Sequence, residues 1–210
     1  DIYIVGDGGS ILRYNGSTFS AVASSTGNNL YSIWGSSSSD IFAVGANGTI
    51  IRFNGSSWSA MTSGTTNLLY GVWGSSASDV FAVGANGTVL HYNGTSWSVM
   101  TSGVSSILWG VWGSSGYDVF AVGDGGTILH YNGSAWSPMA FSSPANNLMG
   151  VWGSSATDVF AVGRWGTILH YAPLALAVTT GSASDIRDTT ATLNGNLASL
   201  GPATTVNVSF

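Results

Sequence analysis

The feature that most limits what this chain can fold into is a period. The stretch "HYNGTSWSVM" at residues 91–100 returns as "HYNGSAWSPM" at 130–139, and stands earlier as "RFNGSSWSAM" at 52–61 and "RYNGSTFSAV" at 13–22. Asp1, Asp40, Asp79, Asp118 and Asp158 mark the same beat, with spacings of 39, 39, 39 and 40, as do Trp34, Trp73, Trp112 and Trp152. A period of roughly 20–50 residues means a supersecondary unit that buries its apolar surface only against its own copies. Within each copy the segments are short, β-branched and aromatic, separated by Gly or Asn-Gly, and no helical spacing interrupts them. That is the signature of strands joined by hairpins.

In the copy running from Leu69 to Gly103, "LYGVWG", "DVFAVG", "GTVLHYNG" and "TSWSVMTSG" read as four strands, a to d. Two-residue turns of type I′ are expected at Ala85-Asn86, Asp124-Gly125 and Asn93-Gly94, because both central residues of such a turn need positive φ. Turns of that length set the register. They predict Val72, Phe81, Leu90 and Trp97 in one row, with Trp73, Val80, His91 and Ser96 on the opposite face. A sheet apolar on both faces must be covered on both, and radial stacking into a β-propeller does this. A buried aromatic of about 200 Å² contributes roughly 5 kcal/mol gross at about 25 cal/mol/Å², so one large ring per face would hold neighbouring blades together. The expected fold is all-β. Its blades run over about 1–27, 28–66, 67–105, 106–145 and 146–171, the first lacking strand a and the last strand d. Five blades are therefore a minimum, and the chain reads as a piece cut at both ends.

The run "GVWGSSASDVFAVGANGTVLHYNGTSW" resembles the repeats of bacterial propellers related to the neuraminidase (Asp-box) and photosystem II assembly-factor groups. Those repeats also pass from a strand through an "AVG–xx–GTIL" hairpin to a tight turn ending in Trp. The resemblance covers residues 1–171 and implies the propeller fold. It departs at the Asp-box, where Ser-x-Asp-x-Gly-x-Thr-Trp is replaced by "YNGTSW". After Tyr171 the repeat stops. Residues 172–182 are expected as a linker or blade-closing strand, and 183–210 resemble the first strands of a fibronectin type III-like sandwich.

Composition narrows the function. Only 6% of residues are charged; all nine acids are Asp, all four bases are Arg, and the net charge is −5. Neutralising phosphates takes clustered Lys and Arg, so nucleic acid is not an expected partner. No apolar run approaches the roughly 20 residues of a spanning helix, so membrane insertion is not expected. Without cysteine there is neither a disulfide framework nor a thiolate site. A Lys-free surface rich in Ser, Thr and Asn points to an extracellular or cell-surface protein of a prokaryote.

The strand-c position is Arg13, Arg52, His91, His130 and His170 in successive copies. A metal ring, a general base or an anion site would use such residues. Five copies on five blades diverge, however, and two arginines would repel a cation, so a packed strut is the expected role, with no metal and no cofactor. Asp40, Asp79, Asp118 and Asp158 follow Ser-rich loops, where Asp stabilises turns through nearby backbone. Ser, His and Asp recur together in every blade, whereas nucleophilic catalysis needs one activated, asymmetric constellation. No enzyme is expected; a glycan-processing domain is the remote alternative, weakened by the absence of Glu. Asn15, Asn54, Asn93 and Asn132 each head Asn-Gly-Ser/Thr, which makes them candidate glycosylation sites as well as turn formers.

The copies disagree only at one rim. The a–b loops and c–d turns barely vary, whereas the b–c and d–a loops diverge. Tyr31, Tyr70, Trp109 and Met149 open strand a at that variable rim, and Arg164-Trp165 stand where other copies carry Asp-Gly or Ala-Asn. Aromatic rings around a concave mouth suit stacking on sugars or on a partner's apolar surface. Tyr31, Tyr70, Trp109, Arg164 and Trp165 are therefore the candidate ligand-binding residues, with contact to the following sandwich as the alternative role of Trp165. The expected function is a binding or adhesion module for glycan or protein, self-association included. The alternative is a purely architectural, self-assembling unit.

Overall fold

The computed structural model describes residues 1–140 and 145–172, and beyond them the backbone of four short strands. The chain divides into two units, Asp1–His170 and Tyr171–Phe210. The first unit is a β-propeller arrangement of five antiparallel sheets in chain order. Blade 1 holds β1 (Ile2–Val5), β2 (Ile11–Tyr14) and β3 (Phe19–Val22). Blade 2 holds β4 (Leu30–Ser37), β5 (Asp40–Gly45), β6 (Ile50–Phe53) and β7 (Trp58–Met61). Blade 3 holds β8 (Leu69–Ser76), β9 (Asp79–Gly84), β10 (Val89–Tyr92) and β11 (Trp97–Met100). Blade 4 repeats the order with β12 (Leu108–Ser115), β13 (Asp118–Gly123), β14 (Ile128–Tyr131) and β15 (Trp136–Pro138). Blade 5 closes the series with β16 (Leu148–Ser155), β17 (Asp158–Gly163) and β18 (Ile168–Tyr171).

In the second unit β19 (Val178–Thr180) pairs with β22 (Gly195–Leu197), and β20 (Ser184–Arg187) pairs with β21 (Thr190–Thr192). Two separate two-stranded ladders do not support the fibronectin-like sandwich expected over 183–210. Most of that segment, and of the linker or closing strand expected over 172–182, lies outside the described residues.

The turns differ from the two-residue form expected, and the difference moves the register. The b–c connection of blade 3 is a three-residue turn, Ala85–Gly87, closed by Gly84 N–H donating to Thr88 O at 2.9 Å and Thr88 N–H to Ala85 O at 3.1 Å. Asn86 and Gly87 both sit at positive φ, 56° and 65°. The extra residue shifts the pairing by one, which turns strand b over relative to strand c. His91 therefore faces Phe81, and Phe81 faces Trp73, while Val72, Ala82 and Leu90 share the other face. The expected row of Val72, Phe81 and Leu90 is corrected accordingly. Val80 lies in line with Tyr92 and Trp97 rather than with His91. At the c–d turn Asn93 is a flanking residue: its Oδ1 accepts the N–H groups of Thr95 and Ser96, both at 3.0 Å, and Gly94 takes φ 93°. Pairing there slips by two, so Trp97 keeps its face but lies opposite Tyr92, and Ser98 replaces Ser96 beside His91.

Both faces remain apolar, and the core lies between blades. Phe81, Val83 and Val89 of blade 3 pack with Val111, Val119, Ala121, Leu129, Tyr131 and Trp136 of blade 4. The preceding junction repeats this, with Phe42, Val44 and Ile50 against Val72, Val80, Ala82, Leu90, Tyr92 and Trp97. Three of the four junctions are fastened by one further contact. The strand-a Trp of a blade lays its ring over a strand-a Gly of the next: Trp34 over Gly74, Trp73 over Gly113, Trp112 over Gly153. A Cβ on Gly113 would stand 2.7 Å from Trp73 Cη2, and one on Gly153 2.6 Å from Trp112 Cη2. Only hydrogen leaves room for the indole. Among the described residues, none covers the outward faces of the two end blades. Ile2, Ile4, Leu12 and Phe19 are exposed on blade 1, and Trp152, Val162 and Ile168 on blade 5.

Candidate functional site

The repeated His/Arg and Asp residues turn out to be partners. His91 Nε2 lies 2.6 Å from Asp79 Oδ1, and His130 and His170 each lie 2.7 Å from Asp118 and Asp158. Arg52 Nε donates to Asp40 Oδ1 at 2.6 Å, and Arg13 reaches Asp1 at 2.8 Å. The other carboxylate oxygen accepts a serine hydroxyl from the preceding loop: Ser36 on Asp40, Ser75 on Asp79, Ser114 on Asp118, Ser154 on Asp158. The three imidazoles and the Arg52 guanidinium also lie over the strand-b aromatic, with His91 4.5 Å from Phe81, His130 4.5 Å from Phe120, His170 4.2 Å from Phe160, and Arg52 4.9 Å from Phe42. Arg52 reaches across the junction to the Tyr92 hydroxyl at 3.2 Å. The hydroxyl and His170 together hold Asp158 below its ordinary carboxylate pKa, the Ser154 bond being the larger cause. Each of these serine hydroxyls donates to the carboxylate and not to the imidazole or guanidinium on its other oxygen.

The sequence carries one sign of this coupling, a constant twelve-residue interval from Asp1 to Arg13, Asp40 to Arg52, and Asp79 to His91, but the interval alone does not show that the two side chains meet. The exposed Asn15, Asn54, Asn93 and Asn132 are turn formers, each Oδ1 accepting backbone N–H groups two and three residues on. Among the described residues no group of three or more His, Asp or Glu side chains is placed to hold a metal ion.

The d–a loops and b–c turns share one rim, and Tyr31, Tyr70 and Trp109 are in contact there. The d–a loops and b–c turns are tied together there, with Asn28 Nδ2 on Thr49 Oγ1 and Asn67 Nδ2 on Thr88 Oγ1, both at 2.8 Å. Strand a begins with a one-residue irregularity in pairing at Tyr31, Tyr70, Trp109 and Met149. Such a bulge re-aims its side chain. The three aromatic rings form one continuous run, with centroids 5.4 Å apart from Tyr31 to Tyr70 and 4.4 Å from Tyr70 to Trp109. Trp109 Nε1 donates to Asp124 Oδ1 at 2.7 Å, which fixes the indole, while Tyr31 and Met149 at the two ends are exposed. Burial raises the Tyr70 hydroxyl pKa, helped by Tyr31 and Asp124. A cavity of about 770 Å³ on the same rim, lined by polar side chains such as Asn28, Asn47 and Ser63 and apolar ones such as Ile50, Ile51 and Met61, does not include these rings.

Arg164 occupies in blade 5 the turn position that Asp124 occupies in blade 4. Trp165 next to it is 89% exposed and sits at φ 60°, ψ 29°. The left-handed region is uncommon for a bulky side chain, and equivalent positions in other blades are Asn or Gly. Its expected alternative role, contact with a sandwich domain, falls on segments outside the described residues.

Comparison with known proteins places the fold. No protein-family model matches the sequence, and no curated protein is similar to it. Solved structures do share its architecture. YCF48 bound to a D1 peptide superposes with TM-score 0.65 and 16% identity, over 81% of this chain and 59% of that one. The WD40 β-propeller domain of Doa1 gives 0.60 and 12%, over 79% and 61%, and virginiamycin B lyase from Staphylococcus aureus gives 0.60 and 12%, over 81% and 68%. At such identities the likeness is one of fold: this chain is a β-propeller. It spans about three fifths of the length of the YCF48 and Doa1 chains it matches.

Proposed function

We propose that the chain is a non-enzymatic binding module that holds an extended segment of a partner protein across the aromatic run Tyr31–Tyr70–Trp109. The observation that carries this reading is the run itself: three rings from three successive blades, in mutual contact, one pinned by Asp124. Rings fixed before binding lose little entropy when a ligand lies on them. Arg164 and the displayed Trp165 extend the surface with a cation and an aromatic at the blade-5 end of the rim. The peptide held by YCF48, a protein of the same fold, supports a protein ligand over a glycan, although ring faces of this kind also suit sugars. The reading includes a place outside the cell or on a prokaryotic cell surface, supported by the cysteine-free, lysine-free composition, with adhesion as the role.

The test is a peptide-array and glycan-array screen of the full chain beside a Tyr70→Ala/Trp109→Ala double variant whose thermal melt is unchanged. Peptide binding that disappears in the variant is the expected result. Glycan binding lost in the same way would replace the partner class. Binding that survives the double substitution would move the site off this rim.

A further inference from the structure

The chain itself shows how this fold holds a cation. Arg52 donates to Asp40 at 2.6 Å, while its guanidinium lies 4.9 Å from the Phe42 ring and 5.7 Å from Tyr92. A carboxylate beside two rings is thus satisfied from within. The same parts meet again on the variable rim. Trp109 Nε1 donates to Asp124 Oδ1 at 2.7 Å, and the Trp109 ring lies 4.4 Å from Tyr70. Asp124 is also near enough to the Tyr70 hydroxyl to help raise its pKa. Among the described residues no hydrogen bond reaches the second oxygen of Asp124. Arg164, on the b–c turn of the next blade, forms no ion pair with it. The other blades show that the turn does not demand this carboxylate. Blades 2 and 3 carry Ala46 and Ala85 at the Asp124 position, with Tyr31 and Tyr70 on strand a, and blade 5 carries Arg164 with Met149. The Ala turn closes as the Asp turn does, Gly84 N–H donating to Thr88 O and Gly123 N–H to Thr127 O, both at 2.9 Å. Of blades 2 to 5, blade 4 alone joins a carboxylate to an indole, the side-chain ring that attracts a cation most strongly.

We propose that Trp109 and Asp124 are the specificity site of the rim and that the partner segment presents an arginine to them. This rests on the reading of the rim as a peptide-binding surface and names the chemistry that the peptide must carry. A guanidinium is flat, so it lies along the indole while its N–H fork meets the second Asp124 oxygen. Tyr70 has a ring on either side, Tyr31 and Trp109, so it backs the indole rather than taking the cation. Lysine brings the same charge without the plane or the fork and ranks second. The net charge of −5 favours the approach of a basic segment.

The experiment screens an array of random-sequence peptides against the full chain, the Tyr70→Ala/Trp109→Ala variant and Asp124→Asn, with selected peptides then titrated by fluorescence anisotropy. Asparagine keeps an oxygen for the Trp109 N–H and removes the charge, so it leaves the indole pinned. Peptides whose binding needs the two rings should be enriched in arginine. Replacing that arginine by citrulline, which keeps the shape and loses the charge, should weaken binding by about tenfold. Asp124→Asn should lower the arginine peptide to the level of the citrulline peptide and leave the citrulline peptide unchanged. Ring-dependent peptides that bind equally well with citrulline would overturn this inference and leave the peptide rim standing. So would an Asp124→Asn chain that binds the arginine peptide as tightly as the native one. The absence of any ring-dependent peptide would overturn both readings.

Discussion

Asp158 shows how one residue type does two jobs in this fold. Its carboxylate takes a hydroxyl from the Ser154 side and an imidazole from the His170 side, so the loop before strand b and the strand after it are bound to one group. Those bonds favour the charged form and hold its pKa below the ordinary 3.8. A carboxylate that binds its proton less readily when folded contributes stability that is complete above its unfolded pKa. That contribution is lost as pH falls through the lowered folded value. Thermal midpoints of the native chain and of Asp158→Asn should therefore differ at neutral pH and converge as the pH drops below 3.8. A gap that persists unchanged in strong acid would refute the assignment. Trp165 is the opposite case. Its left-handed backbone is held by a turn that Asn or Gly fills elsewhere, and its ring lies in solvent. Strain of order 1–2 kcal/mol at a non-glycine residue, spent on an exposed ring, fits a surface that meets a ligand.

At the scale of elements, blade-to-blade contact rests on a ring and an absent side chain. Gly113→Ala puts a methyl group 2.7 Å from Trp73 Cη2 and equally near the Asp118 carbonyl oxygen. Neither has space to move between packed sheets, so the substitution should cost about 1–3 kcal/mol in urea unfolding, with an unchanged far-ultraviolet spectrum. Gly35→Ala, where no Trp lies overhead, should cost less. Neither this contact nor the Asp79–His91 pair is legible in the sequence, and the reason is the same. Strand positions follow from local alternation of apolar and polar residues, which is why the propeller strands and the shared rim of Tyr31, Tyr70 and Trp109 can be read from the chain. Which face a strand presents depends on turn length to the residue. Reading Ala85-Asn86 as a complete turn leaves out Gly87, and that single residue moves Phe81 to the other face, beside His91. Contacts between blades depend on every register at once, so Trp73 over Gly113 has no local signature beyond a 40-residue interval.

For the molecule as a whole, stability is a sum over blades and junctions. Among the described residues, blades 2, 3 and 4 are covered on both faces and blades 1 and 5 on one. Amide hydrogen exchange should accordingly be slowest in β9, β10, β13 and β14 and fastest in β2, β3 and β18, in a graded rather than all-or-none order. Uniform protection from Ile2 to Tyr171 would show that the ends are covered in solution. The Trp-over-Gly fastening also has a consequence for ancestry. Each of blades 2 to 5 carries a Trp that can project and, next to it, a Gly that can receive, so a duplicated stretch of about 39 residues arrives with both halves of the joint already matched to its neighbours. Such a chain can gain or lose units by copying alone, without compensating substitutions at the joints. Selection is then left to edit the loops, and the frame is inherited whole.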